Sequence, residues 1–172
     1  TFGLYAVNDK NIKVVQPRFE QQQFIRFLNE LVMLKSEGTW KKGGVEQLFD
    51  HHGKEMIIFI TDLYDESEDL QNFISRLKTP RNEVIVFHLM GKHETDFDFD
   101  GSFTFEDLET GVRTKADTLV QQKDYAQRIQ AWLKASRGWM LEKQINYYLI
   151  SLDEPVETVL RNFLTIRKSL IR

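Results

Sequence analysis

Apolar residues fall along this chain in two spacings. The first is unbroken, as in Met56-Ile57-Ile58-Phe59-Ile60 and Val84-Ile85-Val86-Phe87. Short continuous runs rich in isoleucine and valine read as parallel strands buried on both faces. The second spacing is helical. Phe24, Phe27, Leu28, Leu31 and Leu34 form one stripe, and Leu70, Phe73, Ile74 and Leu77 another. Ile129, Trp132, Leu133, Ser136 and Met140 share a third face, and Val159, Leu160, Phe163 and Leu164 a fourth. Each stripe predicts a helix with one side turned to a core.

Polar punctuation orders these segments. Thr1 to Val7 reads as a strand, Asn8-Asp9-Lys10-Asn11 as a turn, and Ile12 to Val15 as the return strand of a hairpin. Pro17 is expected to open the first helix, which stops near Ser36-Glu37-Gly38. Thr39 to Gly44 is a loop, and Val45 to His51 a short helix. After the strand at Met56, the acidic run Asp65-Glu66-Ser67-Glu68 suits a helix N-terminus. Pro80-Arg81-Asn82 ends that helix, and Glu83 to Met90 is the next strand. Ser102 to Glu106 and Val112 to Lys115 alternate around Glu109-Thr110-Gly111, which predicts an excursion hairpin. A helix runs from about Asp117 to about Lys143, through Gly138. Asn146 to Ser151 is the last strand, and Pro155 occupies the first turn of the final helix. Strand, helix and strand in alternation predict an α/β fold: a mostly parallel sheet with helices on both faces.

The length of 172 residues suits a single domain, and 41% hydrophobic content supports a core. The formal net charge of −3 gives no pull toward nucleic acid or an anionic membrane. Cysteine is absent, which excludes disulfides and thiolate metal sites. No apolar run approaches the ~20 residues of a membrane span. A cytoplasmic protein is the expectation. The opening Thr1-Phe2-Gly3-Leu4-Tyr5-Ala6-Val7 reads as mid-strand sequence, so a piece of a longer protein is expected.

The candidate chemistry is sparse. Asp62 follows the strand at Met56, at the end where open α/β sheets bind ligands. Thr39 is expected on a loop at the same edge. A hydroxyl and a carboxylate there suit a hard cation such as Mg²⁺; such residues at strand ends more often cap helices or bond turns. Asp96-Phe97-Asp98-Phe99-Asp100-Gly101 resembles the start of a calcium loop, but its twelfth position is Asp107 rather than glutamate. A solvated acidic loop is the simpler reading. His51, His52, His88 and His93 lack metal-ligand spacing, and His88 reads as a hydrogen-bonded core residue. Trp40, Trp132 and Trp139 read as packing residues. No nucleophile elbow or phosphate-binding glycine frame is present.

Three segments carry a resemblance: Glu37-Gly38-Thr39, Ile58-Phe59-Ile60-Thr61-Asp62-Leu63, and Phe105-Glu106-Asp107-Leu108-Glu109-Thr110-Gly111. Tyr147 to Ser151 followed by Asp153-Glu154-Pro155 extends it. Together they resemble the bacterial domain-of-unknown-function family 58, which contains a von Willebrand factor A-like domain. The resemblance spans nearly the whole chain. It implies a Rossmann-like three-layer sheet flanked by helices, with an N-terminal antiparallel hairpin and the first central strand lacking. It also implies a metal-ion-dependent adhesion site in which Thr39 and Asp62 match the threonine and aspartate positions. The D-x-S-x-S part of that site is absent, so the site is incomplete in this chain, with Mg²⁺ expected only in an intact protein. An open sheet edge would favour self-association. The implied role is a non-catalytic protein-interaction module, an adaptor to a MoxR-type AAA+ ATPase. The alternative is a metal-dependent hydrolase using Asp62, Asp65 and Asp153.

Overall fold

The computed structural model describes residues 1–35, 37–40, 53–64, 68–96, 102–106 and 113–170. They fall into two compact units, 1–55 with 65–81 and 56–64 with 82–172.

The first unit starts with an antiparallel hairpin, β1 (Phe2–Val7) and β2 (Ile12–Arg18). Asn8 makes the turn: its Oδ1 accepts the N–H groups of Lys10 and Asn11 at 3.0 and 2.8 Å. Pro17 lies within β2 and opens no helix, contrary to the sequence expectation. The reason is a register shift between Phe2 and Leu4, opposite Pro17. Proline donates nothing to a ladder and is tolerated at such an irregularity. Gly3 makes room there, since an added Cβ would meet the Val15 carbonyl at 2.5 Å.

Helix α1 (Gln23–Met33) begins six residues later than expected. Its first side chain explains the placement. Gln23 is buried, and its Nε2 donates to the carbonyls of Phe2 and Gln16, both at 2.8 Å. The apolar stripe of α1 is not the core face that its periodicity suggests. Phe24, Leu28 and Leu31 are exposed, and Phe2 meets Phe24 and Phe27 edge-on. A two-stranded ribbon is too narrow to cover a helix face. Helix α2 (Asp69–Leu77) behaves as predicted, with Leu70, Phe73, Ile74 and Leu77 all buried. Trp40 packs edge-on against Phe73 at 4.9 Å. The helix expected at Val45 to His51 lies outside the described residues.

The second unit holds a parallel three-stranded sheet in the order β3 (Met56–Thr61), β4 (Glu83–Met90), β7 (Asn146–Ser151). Between β4 and β7 come a short helix α3 (Lys92–Asp96), an antiparallel hairpin β5 (Ser102–Glu106) and β6 (Arg113–Asp117), and the long helix α4 (Thr118–Glu142). Helix α5 (Val156–Leu170) follows β7. The parallel sheet, the excursion hairpin and the unbroken α4 through Gly138 agree with the sequence pattern. Helix α3 was not foreseen. The acidic run from Phe97 to Gly101, and the turn at Glu109 to Gly111, lie outside the described residues.

Register assigns the two faces. Ile85, Phe87, Tyr148 and Ile150 share one face, and Phe163 of α5 packs there, 5.1 Å from both the Phe87 and Tyr148 rings. Val86, His88 and Tyr147 share the other, where Trp132 of α4 meets His88. Arg167 of α5 forks onto Glu83 at the start of β4 at 2.5 and 2.6 Å. Of the three strands β4 is the most buried, with six of its eight residues buried. β3 was expected to be buried on both faces, yet it is an edge strand among the described residues, and Met56, Ile58 and Ile60 are exposed by 53%, 43% and 61%.

Candidate functional site

Parallel strands deliver all their C-terminal ends to one edge of the sheet. Here those ends are Thr61-Asp62 after β3, Met90-Gly91 after β4 and Ser151-Leu152 after β7. Each chain end turns by a different device. After β3, Leu63 adopts a left-handed backbone with φ 57°. The Thr61 hydroxyl accepts the Leu63 N–H at 2.9 Å, and Asp62 Oδ1 accepts the Tyr64 N–H at 3.0 Å. After β4, the Gly91 N–H donates to Glu94 Oε2 at 2.6 Å, which closes the first turn of α3. After β7, Asp153 Oδ2 accepts the Lys92 N–H at 2.6 Å, while the Asp153 N–H donates to Ser151 Oγ at 3.3 Å. The Leu152 N–H donates to the Met90 carbonyl at 2.9 Å, so the β4 and β7 loops are laced together.

Each of these carboxylates spends one oxygen on a backbone N–H: Asp62 on its own loop, Glu94 on the first turn of α3, and Asp153 across to the loop after β4. Asp62 is exposed, and its Oδ2 has no hydrogen-bond partner among the described residues. Thr39 belongs to the other unit. It is exposed, and its backbone is clamped to Asp9, with Thr39 N–H to Asp9 Oδ1 at 3.0 Å and Asp9 N–H to the Thr39 carbonyl at 2.9 Å. The preceding Gly38 has φ 82°, and a Cβ there would collide with the Asp9 carboxylate, so this docking requires glycine. Asp65 lies outside the described residues. Among the described residues, no three histidine, aspartate or glutamate side chains cluster as metal ligands.

One buried polar pair lies beneath the edge. His88, in the middle of the sheet, is fully buried, with Nδ1 2.7 Å from the Tyr147 hydroxyl. Its Nε2 completes no hydrogen bond within the described residues. Burial lowers the ring's pKa, and the backbone and carboxylate of Asp62, together with Glu94, oppose this only in part. Burial pushes the Tyr147 phenol up to about 12 despite the Arg137 charge. The ring is therefore neutral at physiological pH and senses the charge on Asp62. The sequence marks His88 as a polar residue in an apolar strand. Its partner, 59 positions away, is visible only from the β4–β7 register.

Compared with protein-family models, curated proteins and solved structures, the chain matches none of them. Among the described residues, no helix is long and apolar enough to cross a membrane.

Proposed function

We propose that the chain is a non-catalytic protein-interaction module of the von Willebrand A-like type. It engages its partner at the C-terminal edge of the β3–β4–β7 sheet, and Asp62 is the contact. One observation carries this reading: at the C-terminal end of β3, Asp62 presents an exposed carboxylate with one oxygen on the Tyr64 N–H and the other without a hydrogen-bond partner among the described residues. A hard cation such as Mg²⁺ takes about six oxygen ligands and keeps several waters. Asp62 supplies one ligand, and a partner carboxylate and water supply others. The place of Thr39 in such a site rests on the resemblance alone, as does an AAA+ ATPase as partner.

The test is calorimetric. A peptide bearing a single glutamate is titrated into the chain in Mg²⁺ and again in EDTA, with Asp62→Ala alongside. The reading predicts binding in Mg²⁺ that EDTA and Asp62→Ala each weaken at least about tenfold, the scale of one charge-assisted contact. Binding that neither change weakens contradicts it.

A further inference from the structure

In the first unit a strand edge and a helix flank a charged groove. Among the described residues β2 pairs only with β1. The Asn8 N–H donates to the Asn11 carbonyl at 3.1 Å, which makes these two a hydrogen-bonded pair. Such pairs alternate along an antiparallel ladder. Lys13 and Val15 therefore turn their backbone groups toward β1, while Ile12 and Val14 turn theirs outward. The Gln16 carbonyl also faces outward and takes the Gln23 Nε2 at 2.8 Å, so the buried Gln23 holds α1 beside this edge. Between the edge and α1 lies a groove of about 520 Å³, within the range of ligand clefts. Val14 and Val15 line it from the strand and Arg26 from the helix, with Arg18 at the end of β2.

The charges of this groove are unbalanced. Arg18 and Arg26 share one carboxylate, Glu20, at 3.5 and 3.1 Å, each through a single nitrogen. Lys13 and Glu30 pair at 4.0 Å. Three cations thus face two carboxylates, and one positive charge is left over. The Glu20 side chain is 41% exposed, so its hold on the arginines is weak. We infer that the groove binds an extended acidic peptide, which adds to β2 as a third strand and sets one carboxylate on Arg18 and Arg26. The outward backbone groups of Val14 supply main-chain hydrogen bonds, and the arginines select the charge. Glu20 marks where carboxylate oxygens sit between the two guanidinium groups, and each of these has further N–H donors for a second acceptor. The inference does not rest on the proposed function.

Fluorescence anisotropy tests it, in EDTA so that no cation serves Asp62. The probe is a labelled hexapeptide of alternating threonine and valine with one aspartate, capped at both ends. The chain should bind it, and an asparagine in place of that aspartate should weaken binding about tenfold, the scale of one charge-assisted contact. Arg18→Gln and Arg26→Gln should each weaken it by a similar factor. Both arginines are about half exposed, and circular dichroism checks that the variants fold. Methylating alternate peptide nitrogens should abolish binding in one frame and spare it in the other, because only every second residue faces β2. This arm needs no change to the protein. Absence of binding at millimolar peptide overturns the inference, as when a second copy already occupies the edge. So does an asparagine peptide that binds equally, a pair of arginine variants without effect, or two methylation frames that behave alike.

Discussion

At the scale of single residues, His88 links the interior to the surface. Its ring has a folded pKa below the ordinary histidine value, because burial disfavours the charged form. The unfolded chain therefore takes up a proton at a pH where the folded chain refuses it. Stability from this group is complete above about pH 6.5, the unfolded value, and is lost as pH falls below it. Among the described residues the Tyr147 hydroxyl is the ring's one completed hydrogen bond. Tyr147→Phe leaves a buried nitrogen unpaired and should cost ~1–3 kcal/mol in urea melts at pH 7.5. The wild-type melt at pH 5.5 should be less stable than at 7.5, and His88→Phe should flatten that difference. A slope of the opposite sign would show a ring that is charged in the fold. That His88 belongs to the core was legible from its place in an apolar run. That it answers to Tyr147 and Asp62 was not, because register between distant strands is a tertiary property that local spacing does not carry.

At the scale of elements, local periodicity specified what local contacts decide. The stripe Leu70, Phe73, Ile74 and Leu77 is buried as predicted, and the bounds of β7 match the run from Asn146 to Ser151. The end of α4 shows how one turn sets up the next strand. The Ile145 N–H reaches the Met140 carbonyl at 2.8 Å, and the Gln144 N–H reaches that of Leu141 at 3.0 Å. Gln144 itself is left-handed with φ 57°. This is a Schellman closure, and Met140 and Ile145 supply its buried apolar contact. Glycine takes that backbone without the Cβ penalty, so Gln144→Gly should stabilise the chain by ~1 kcal/mol, read as a higher midpoint in thermal unfolding. A lower midpoint would mean that the glutamine side chain contributes more than its backbone strain costs. Other features of the elements were illegible for an equally local reason. The run Met56 to Ile60 is apolar whether or not a strand lies beyond it, so sequence spacing does not separate an edge from a centre. The stripe on α1 signals a helix but not what covers it. Pro17 marks a helix start or a bulged strand, and only Gly3 opposite decides between them.

At the scale of the whole molecule, each unit is built on strand pairing, an antiparallel ribbon in one and a parallel sheet in the other. The parallel sheet gathers its polar strand ends on one edge, where the exposed carboxylate of Asp62 closes β3. That a carboxylate would stand at this edge was legible from the run of isoleucines ending in Thr61-Asp62. That Asp153 and Glu94 would each hold a loop N–H was not, because their partners are the backbone groups of Lys92 and Gly91. The central claim is recognition through Asp62 at this edge. The most direct measurement is Mn²⁺ line broadening of backbone amide signals by NMR, with and without the glutamate peptide. The account predicts broadening centred on Asp62, Leu63 and Tyr64, strengthened by the peptide and abolished by Asp62→Ala. Amides at this edge that stay sharp with peptide present, or broadening that survives the substitution, would contradict it.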